Sequence, residues 1–158
     1  MKQLNWIAFL FLLVLIGCTN QEDTLSETTL GYSDTWTTIE YSVMAKGVLS
    51  GNGAEGIIRS NRIIRNANEW QSLMDQMNSV NVVTEEFNET AVDFDDHMLI
   101  AVFLEVKGSG YEVEIDDIQE NDTTIRVSTL ERSNQIAVVA QPYCIVKILK
   151  TDKTIVFE

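Results

Sequence analysis

The sequence predicts an α+β fold that is mainly an antiparallel β-sheet with one short amphipathic helix. Two observations lead to this class. Short runs of β-branched and aromatic residues recur between polar turns, which is typical of consecutive antiparallel strands. A single segment changes its apolar spacing from two residues to three and four, which is typical of a helix. The pattern leaves open whether the sheet is a sandwich, an open barrel or an open sheet packed on the helix.

The first predicted elements are two strands and the helix. Residues 37–49 are rich in β-forming side chains and predict one strand, which ends at the turn cluster Ser50-Gly51-Asn52-Gly53. Residues 56–64 predict a second strand or a hairpin. A helix of about three turns follows at residues 67–78, with Asn68 as its N-cap. The apolar residues at helical spacing are Trp70, Leu73, Met74 and Met77. We interpret them as core residues of the helix rather than as a ligand-binding cluster.

The remainder of the domain is predicted to consist of strands. Residues 98–106 are apolar with little alternation, so we expect both faces of this strand to be covered. Residues 111–115 alternate cleanly, and Gly108-Ser109-Gly110 between the two runs predicts a hairpin turn. Further strands are predicted at residues 124–130, 136–139, 143–149 and 155–157.

The N-terminus has the parts of a secretory signal peptide, assigned to residues 1–17. Lys2 is its only charge, and the apolar run at residues 6–16 is shorter than the about 20 residues that a spanning helix needs. The run ends at Gly17-Cys18, which resembles a lipobox, in which a small residue precedes the cysteine whose thiol is acylated. The sequence therefore predicts a bacterial lipoprotein with Cys18 as the lipidated residue. The acyl chains on Cys18 would hold the protein at the membrane.

Residues 18–35 predict a flexible acidic tether. They contain acids but no base and few large apolar residues, so they cannot bury enough apolar surface to fold alone. Thr19 stands where an aspartate would favour retention at the inner membrane. We therefore expect a location in the bacterial cell envelope, at the outer membrane, with a single β-rich domain at residues 36–158.

The charge balance argues against some partners. The chain has 11 bases and 24 acids, and removal of Lys2 with the signal peptide leaves a formal charge of about −14. This charge repels phosphate backbones, so we expect no nucleic-acid binding. It also repels an anionic bilayer surface, which fits a domain held away from the membrane. Cys144 is the only cysteine left after lipidation of Cys18, so we expect no disulfide within the monomer and a buried, hydrophobe-like Cys144.

Side chains that could carry catalysis are few. The one histidine, His97, follows Asp93, Asp95 and Asp96. We interpret this run as a solvated turn rather than a metal site, because it lacks the glycine and the distal glutamate of a calcium loop. No serine lies on a nucleophile elbow. A Cys144–His97 pair stays open, although a thiol in an apolar run is usually inert. We expect no cofactor, no metal and no enzyme activity.

Three stretches of the second half resemble the C-terminal domain of the PrcB-type protease-complex subunit family. They are Val92-Asp93-Phe94 with the apolar strand after it, the turn and strand at residues 108–115, and Ala140-Gln141-Pro142-Tyr143-Cys144 with its continuation. The helix around Trp70 also fits, and the resemblance covers about residues 63–157. One departure is Cys144, where the family often has histidine.

The resemblance implies a non-catalytic subunit that binds or stabilises another envelope protein, such as a protease. It implies no catalytic residues. The candidate binding surface consists of Gly108, Ser109, Gly110, Tyr111, Pro142 and Tyr143. Two alternatives stay open. One is a protease inhibitor or small-ligand binder that presents the turn at residues 108–111 to a cleft, and the other is a hydrolase built on His97 and an acidic partner.

Overall fold

The fold is known from a computed structural model, which describes residues 35–108, 110–133 and 139–158. These residues form two four-stranded β-sheets and one α-helix, which confirms the predicted α+β class. The predicted signal peptide, Cys18 and the tether up to residue 34 lie outside the described residues. So do Ser109 and residues 134–138, which include most of the predicted strand at 136–139.

Eight strands and one α-helix follow one another along the described chain. The strands are β1 (Thr37–Thr38), β2 (Ser42–Leu49), β3 (Ser60–Ile64), β4 (His97–Phe103), β5 (Tyr111–Glu120), β6 (Thr124–Ser133), β7 (Gln141–Leu149) and β8 (Thr154–Phe157). The helix α1 spans Ala67–Met77, and a short 3₁₀ helix spans Thr84–Glu86.

The strands divide into a central sheet, ordered β2-β7-β4-β3, and an outer sheet, ordered β1-β5-β6-β8. Neighbouring strands are antiparallel except β6 and β8, which are parallel. One hydrophobic cluster joins α1 to the central sheet, and a second joins the central sheet to the outer sheet. The domain is therefore a sandwich of two sheets with a helix as its third layer.

Strand β4 is buried on both faces, which confirms the expectation from its apolar run. Leu99, Ala101 and Phe103 belong to the cluster under α1, whereas the residues between them belong to the cluster against the outer sheet. Every residue from Met98 to Phe103 is at most 2% exposed. A strand covered on both sides has no solvent face, so polar alternation is absent from its sequence.

Strand β5 shows the opposite pattern, with one face toward the core. Val113 and Ile115 are buried, and the glutamates beside them are partly exposed. The β5–β6 register shifts between Ile115 and Asp117, so the next buried residue is Ile118. This bulge adds one residue to β5 and returns its apolar side chains to the core face.

The helix begins at Ala67 as predicted, but a different asparagine caps it. Asn66 is the N-cap, with extended backbone (φ −151°, ψ 162°), and its side-chain oxygen accepts a hydrogen bond from Glu69 N–H at 3.0 Å. The expectation that Asn68 caps the helix was wrong, because Asn68 already lies inside α1. The carboxylate of Glu69 accepts from Arg65 N–H at 2.9 Å, so both side chains satisfy free donors at the helix start.

The predicted hairpin at residues 108–110 was wrong, because β4 and β5 belong to different sheets. Both edges of β4 are already taken by β3 and β7, so β5 cannot pair with it. The chain between Phe103 and Tyr111 instead passes from the central sheet to the outer sheet. The predicted single strand at 37–49 was wrong for the same reason, since β1 lies in the outer sheet and β2 in the central sheet.

The predicted strand at residues 56–64 is shorter in the structure and begins at Ser60. Gly56 has a positive φ of +69°, and the carbonyl of Ile57 accepts a hydrogen bond from Gln141 Nε2 at 2.8 Å. The same amide nitrogen donates to Leu104 O at 2.7 Å. The buried Gln141 side chain thus holds the loop before β3 against the chain after β4, in place of strand pairing.

Candidate functional site

The turn predicted as a binding surface is attached to the rest of the domain by its flanks. Lys107 and Ala140 exchange two backbone hydrogen bonds, at 3.0 and 3.2 Å. The ammonium group of Lys107 lies 4.3 Å from the ring centroid of Tyr111, which makes a cation–π contact. Gly108 is exposed, whereas Gly110 and Tyr111 are half-buried. The turn is therefore accessible mainly at Gly108, and Ser109 lies outside the described residues.

A network of four charged side chains surrounds this turn. Lys107 lies 2.7 Å from Glu131 and 3.2 Å from Glu105, and Arg59 lies 2.7 Å from Glu131 and 2.5 Å from Glu105. The hydrogen bond from Arg59 lowers the pKa of Glu105 to about 2, and the bond from Lys107 lowers the pKa of Glu131. The charges of the network are paired with one another, so its role is to join the two sheets.

Pro142 and Tyr143 do not belong to an exposed surface, and this part of the predicted site was wrong. Both are buried in β7, and Tyr143 is 3% exposed. Its ring centroid lies 6.2 Å from that of Phe87 and 6.1 Å from that of Phe103, in the layer under α1. Burial raises the pKa of the Tyr143 hydroxyl to about 12. The two residues stabilise the core because β7 is covered on both faces.

The structure separates Cys144 from His97. On the β4–β7 ladder Cys144 is opposite Val102, whereas His97 is opposite Leu149. Five residues of strand, or about 17 Å, lie between the two positions. Cys144 is 1% exposed, as expected for a buried hydrophobe, and burial raises the pKa of its thiol. A direct thiol–imidazole pair is therefore ruled out.

The acidic run before β4 folds as the turn that its sequence suggests. The side chain of Asp93 accepts from Asp95 N–H at 2.9 Å, and its carbonyl accepts from His97 N–H at 2.9 Å. Asp93, Asp95 and Asp96 are exposed. Across residues 35–108, 110–133 and 139–158, no three His, Cys, Asp or Glu side chains are placed to hold a metal ion. Trp70 and Met77 are buried in the core, as predicted.

A groove that the sequence reasoning missed runs between β3 and α1, and we call it the edge groove. Its volume is about 580 Å³. Arg62 and Ile64 line it from β3, and Asn68, Ser72 and Gln76 line it from α1. Within the described chain β3 pairs only with β4, so the other edge of β3 is open along this groove. The groove thus combines a free strand edge with a polar helix wall.

One arginine in the edge groove is bound only weakly. Arg62 Nη1 donates to Gln76 Oε1 at 3.4 Å, and its Nε donates to Ser60 Oγ at 3.3 Å. The guanidinium lies 5.4 Å from the ring centroid of Phe103. No carboxylate of the described residues forms an ion pair with Arg62. Burial lowers the pKa of this guanidinium. Its charge is therefore partly desolvated and has no counter-ion in the part of the chain that the structure describes.

A weak signal for the groove is visible in the sequence. The polar residues Asn68, Ser72 and Gln76 recur at intervals of four, so they share one face of a helix. Local pattern alone could not place this face beside a strand edge, because the order of strands in a sheet depends on distant pairing.

A second cavity, of about 600 Å³, lies at one end of the sandwich, where both sheets begin or end. Ile39, Ile125 and Ile148 give it an apolar lining, and Tyr41 and His97 also line it. The Tyr41 hydroxyl donates to Ile115 O at 2.9 Å. The Nδ1 atom of His97 is buried and has no hydrogen-bond partner among the described residues. Because that atom is buried, it is not exposed to the cavity, whose lining also includes the charged residues Glu40, Glu120, Lys147 and Lys150.

Comparison with known proteins gives no assignment. No protein-family model matches the chain, and no match was found among the curated proteins or the solved structures. The relation to the PrcB-type family therefore stays a prediction. Of the residues that the structure describes, none belongs to a helix long and apolar enough to cross a membrane.

Proposed function

We propose that this protein is a lipid-anchored, non-catalytic binding subunit of the bacterial cell envelope. It binds another envelope protein, such as a protease, through the edge groove between β3 and α1. The observation that carries the proposal is the open edge of β3 beside a groove of about 580 Å³.

An open strand edge is a strong basis for protein binding. It presents backbone N–H and C=O groups that an extended segment of another protein can pair with. Natural proteins commonly shield such edges, and the described part of this chain leaves one beside a helix wall that would hold the added segment in place. Backbone pairing supplies affinity, and side chains of the groove supply specificity.

The other features of the chain support the same proposal. Acylation of Cys18 would hold the domain at the membrane, and the acidic charge would keep it away from anionic lipid. The separation of Cys144 from His97 removes the one nucleophilic pair that the sequence left open. The resemblance of residues 63–157 to a protease-complex subunit family suggests the kind of partner.

Site-specific photo-crosslinking in intact cells tests the proposal. A benzophenone amino acid replaces Ser72 in the edge groove or, as a control, Thr123 in the exposed turn between β5 and β6. We expect irradiation to yield a discrete adduct from position 72 and none from position 123. Mass spectrometry should map the adduct to one segment of an envelope protein. Absence of the adduct, or equal adducts from both positions, would overturn the proposed site.

A second candidate function is the binding of a small molecule in the cavity at the sandwich end. The shape and lining of the cavity favour it, because a concave site of about 600 Å³ with apolar walls and a few polar side chains is typical of small-molecule sites. A thermal-shift screen with the full-length lipoprotein in detergent tests it. A true ligand should raise the melting temperature of the native protein and lose this effect in His97→Phe. An equal shift in the variant would exclude the cavity.

A further inference from the structure

We propose that the edge groove receives an extended segment of the partner protein, which adds to β3 as a fifth strand of the central sheet and places one carboxylate against Arg62. This inference rests on the proposed function, since it names the chemistry of the partner at that same surface.

The first step concerns the backbone. β3 is the last strand of the central sheet, so alternate backbone groups of Ser60–Ile64 face away from β4. The helix wall from Asn68 to Gln76 is about 12 Å long at 1.5 Å per residue. At about 3.3 Å per residue, an extended segment of about four residues spans this length. The groove therefore suits a short strand better than a helix, whose diameter of about 10 Å would keep its backbone from the edge.

The second step concerns the side chains along the groove. On the helix-facing side of β3 lie Ser60, Arg62 and Ile64, because strand residues alternate between the two faces. Ile64 and Leu73 are buried lining residues and form an apolar base for the groove. An added strand would place its own alternate side chains beside those of β3 on this face, with apolar residues fitting near Ile64.

The third step concerns charge. Arg59 and Arg132 each lie 2.7 Å from a carboxylate oxygen, whereas Arg62 has no ion pair within the described chain. Arg65 is turned away from the groove, since its Nη1 donates to Thr151 O at 2.7 Å. An incoming carboxylate beside Arg62 would form a charge-assisted hydrogen bond that the described residues do not make. Arg62 is thus the group that selects an acid.

The fourth step limits the number of acids in the segment. The groove is already lined by one carboxylate, that of Glu69 in the first turn of α1, which accepts a hydrogen bond from Arg65 N–H. The whole chain is strongly acidic, so long-range attraction does not favour an anionic ligand. The preference must therefore come from the local contact with Arg62. A single carboxylate fits this arrangement, and a run of acids does not.

Peptide binding to the full-length lipoprotein in detergent tests the inference. Three fluorescent peptides share the alternating sequence Thr-Val-Thr-X-Thr-Val-Thr, where X is glutamate, glutamine or lysine. Fluorescence anisotropy measures their affinity. We expect the glutamate peptide to bind about tenfold more tightly than the glutamine peptide, as expected for one hydrogen bond to a charged group. The lysine peptide should bind most weakly.

Protein variants assign the preference to one residue. Arg62→Gln should abolish the difference between the glutamate and glutamine peptides. Arg132→Gln removes the same charge from the outer sheet and should leave the difference intact. Arg62→Lys should restore part of it. Thermal unfolding of each variant checks that the fold is retained, and an unchanged preference in a folded Arg62→Gln would overturn the role of Arg62.

Backbone pairing is tested separately. Amide hydrogen exchange with the glutamate peptide should slow in residues 60–64 and stay unchanged in the β5–β6 turn. A glutamate peptide with N-methyl groups on every residue has no backbone donor on either edge and should bind far more weakly. Equal binding of all three peptides at β3 would overturn the carboxylate claim and leave the proposed function standing. If no peptide bound, or if the peptide slowed exchange in a region other than β3, strand addition would be overturned. The photo-crosslinking experiment tests the proposed function independently.

Discussion

The ring of Tyr143 lies across Gly47, its partner on the β2–β7 ladder. A Cβ atom on Gly47 would lie 3.0 Å from the Tyr143 hydroxyl oxygen and 3.3 Å from the adjacent ring carbon. The ring has little room to move, because Phe87 and Phe103 pack near it. Glycine at position 47 is therefore required by the close approach of a buried ring.

We expect Gly47→Ala to lower the free energy of unfolding by about 1–3 kcal/mol, because overpacking of a core shifts side chains or backbone. The cost should be smaller in a Tyr143→Phe background, where the closest atom is missing. Guanidinium unfolding of the two single variants and the double variant measures the coupling. An equal cost of Gly47→Ala in both backgrounds would show that the hydroxyl is not responsible.

Single-residue roles could be predicted from sequence where the neighbouring residues decide them. The apolar run around Cys144 correctly indicated a buried thiol, and the acidic run before His97 correctly indicated a solvated turn. Tyr143 was assigned to a binding surface because it lies in one of the stretches that resemble the protease-complex subunit family. Its burial depends on α1 and the 3₁₀ helix region covering the central sheet, which no local pattern reveals.

At the level of elements, the start of α1 depends on one side chain. Asn66 accepts from Glu69 N–H at 3.0 Å, whereas the side chain of Asn68 lies on the exposed surface of the helix. The two asparagines are two residues apart, so they form a matched pair for mutation.

We expect Asn66→Ala to destabilise the domain by about 1 kcal/mol through loss of the cap. Asn68→Ala should change stability by less than about 0.5 kcal/mol, as is usual for exposed positions. Thermal or chemical unfolding of both variants measures the difference. A larger loss from Asn68→Ala would contradict the assigned cap.

The burial of an element could be predicted where its hydrophobic pattern is strong, but the strands that pair with it could not. The unbroken apolar run at β4 indicated burial on both faces, which the two hydrophobic clusters confirm. The glycines at 108 and 110 suggested a hairpin because tight turns favour glycine, yet the same residues also suit a link between sheets. The edge groove depends on β3 being the last strand of its sheet. That position is fixed by pairing of β4 with β7, about 40 residues further along the chain.

At the level of the whole molecule, charged side chains join the two sheets. Arg59 precedes β3 of the central sheet and Glu131 lies in β6 of the outer sheet, 2.7 Å apart. On another side, Lys46 of β2 lies 2.9 Å from Glu114 of β5. These groups are partly exposed, so each pair contributes modestly to stability. Their common feature is a carboxylate whose charged form is favoured in the folded state.

We expect stability to fall as the pH decreases from about 4.5 toward 2. The pKa of Glu105 is about 2 in the folded protein, below its ordinary value of 4.5. Its contribution to stability is therefore complete above pH 4.5 and is lost as the pH falls toward 2 and the carboxylate gains a proton. Lowered pKa values of Glu114 and Glu131 act in the same direction. Melting temperatures measured across this range should show a smaller decrease in Glu105→Gln than in the native chain.

A matched control for this prediction is Glu85→Gln, which removes an exposed carboxylate outside the network. Its melting temperature should decrease with pH as steeply as that of the native protein. If Glu105→Gln retained the full decrease, the ion network would not be a source of the acid sensitivity.

The chain passes back and forth between the two sheets, and this affects how the domain folds. Pairing of Ser42 with Lys147 and of Thr37 with Glu120 means that each sheet contains strands from both halves of the domain. Neither sheet can assemble from a partial chain, and such non-local pairing usually gives folding times of milliseconds to seconds. Until β7 is in place, β2 and β4 present unpaired apolar edges. During that interval the unpaired edges would favour self-association by the same backbone pairing that we propose for partner binding. Premature truncation before β7 should therefore yield aggregates rather than a smaller domain.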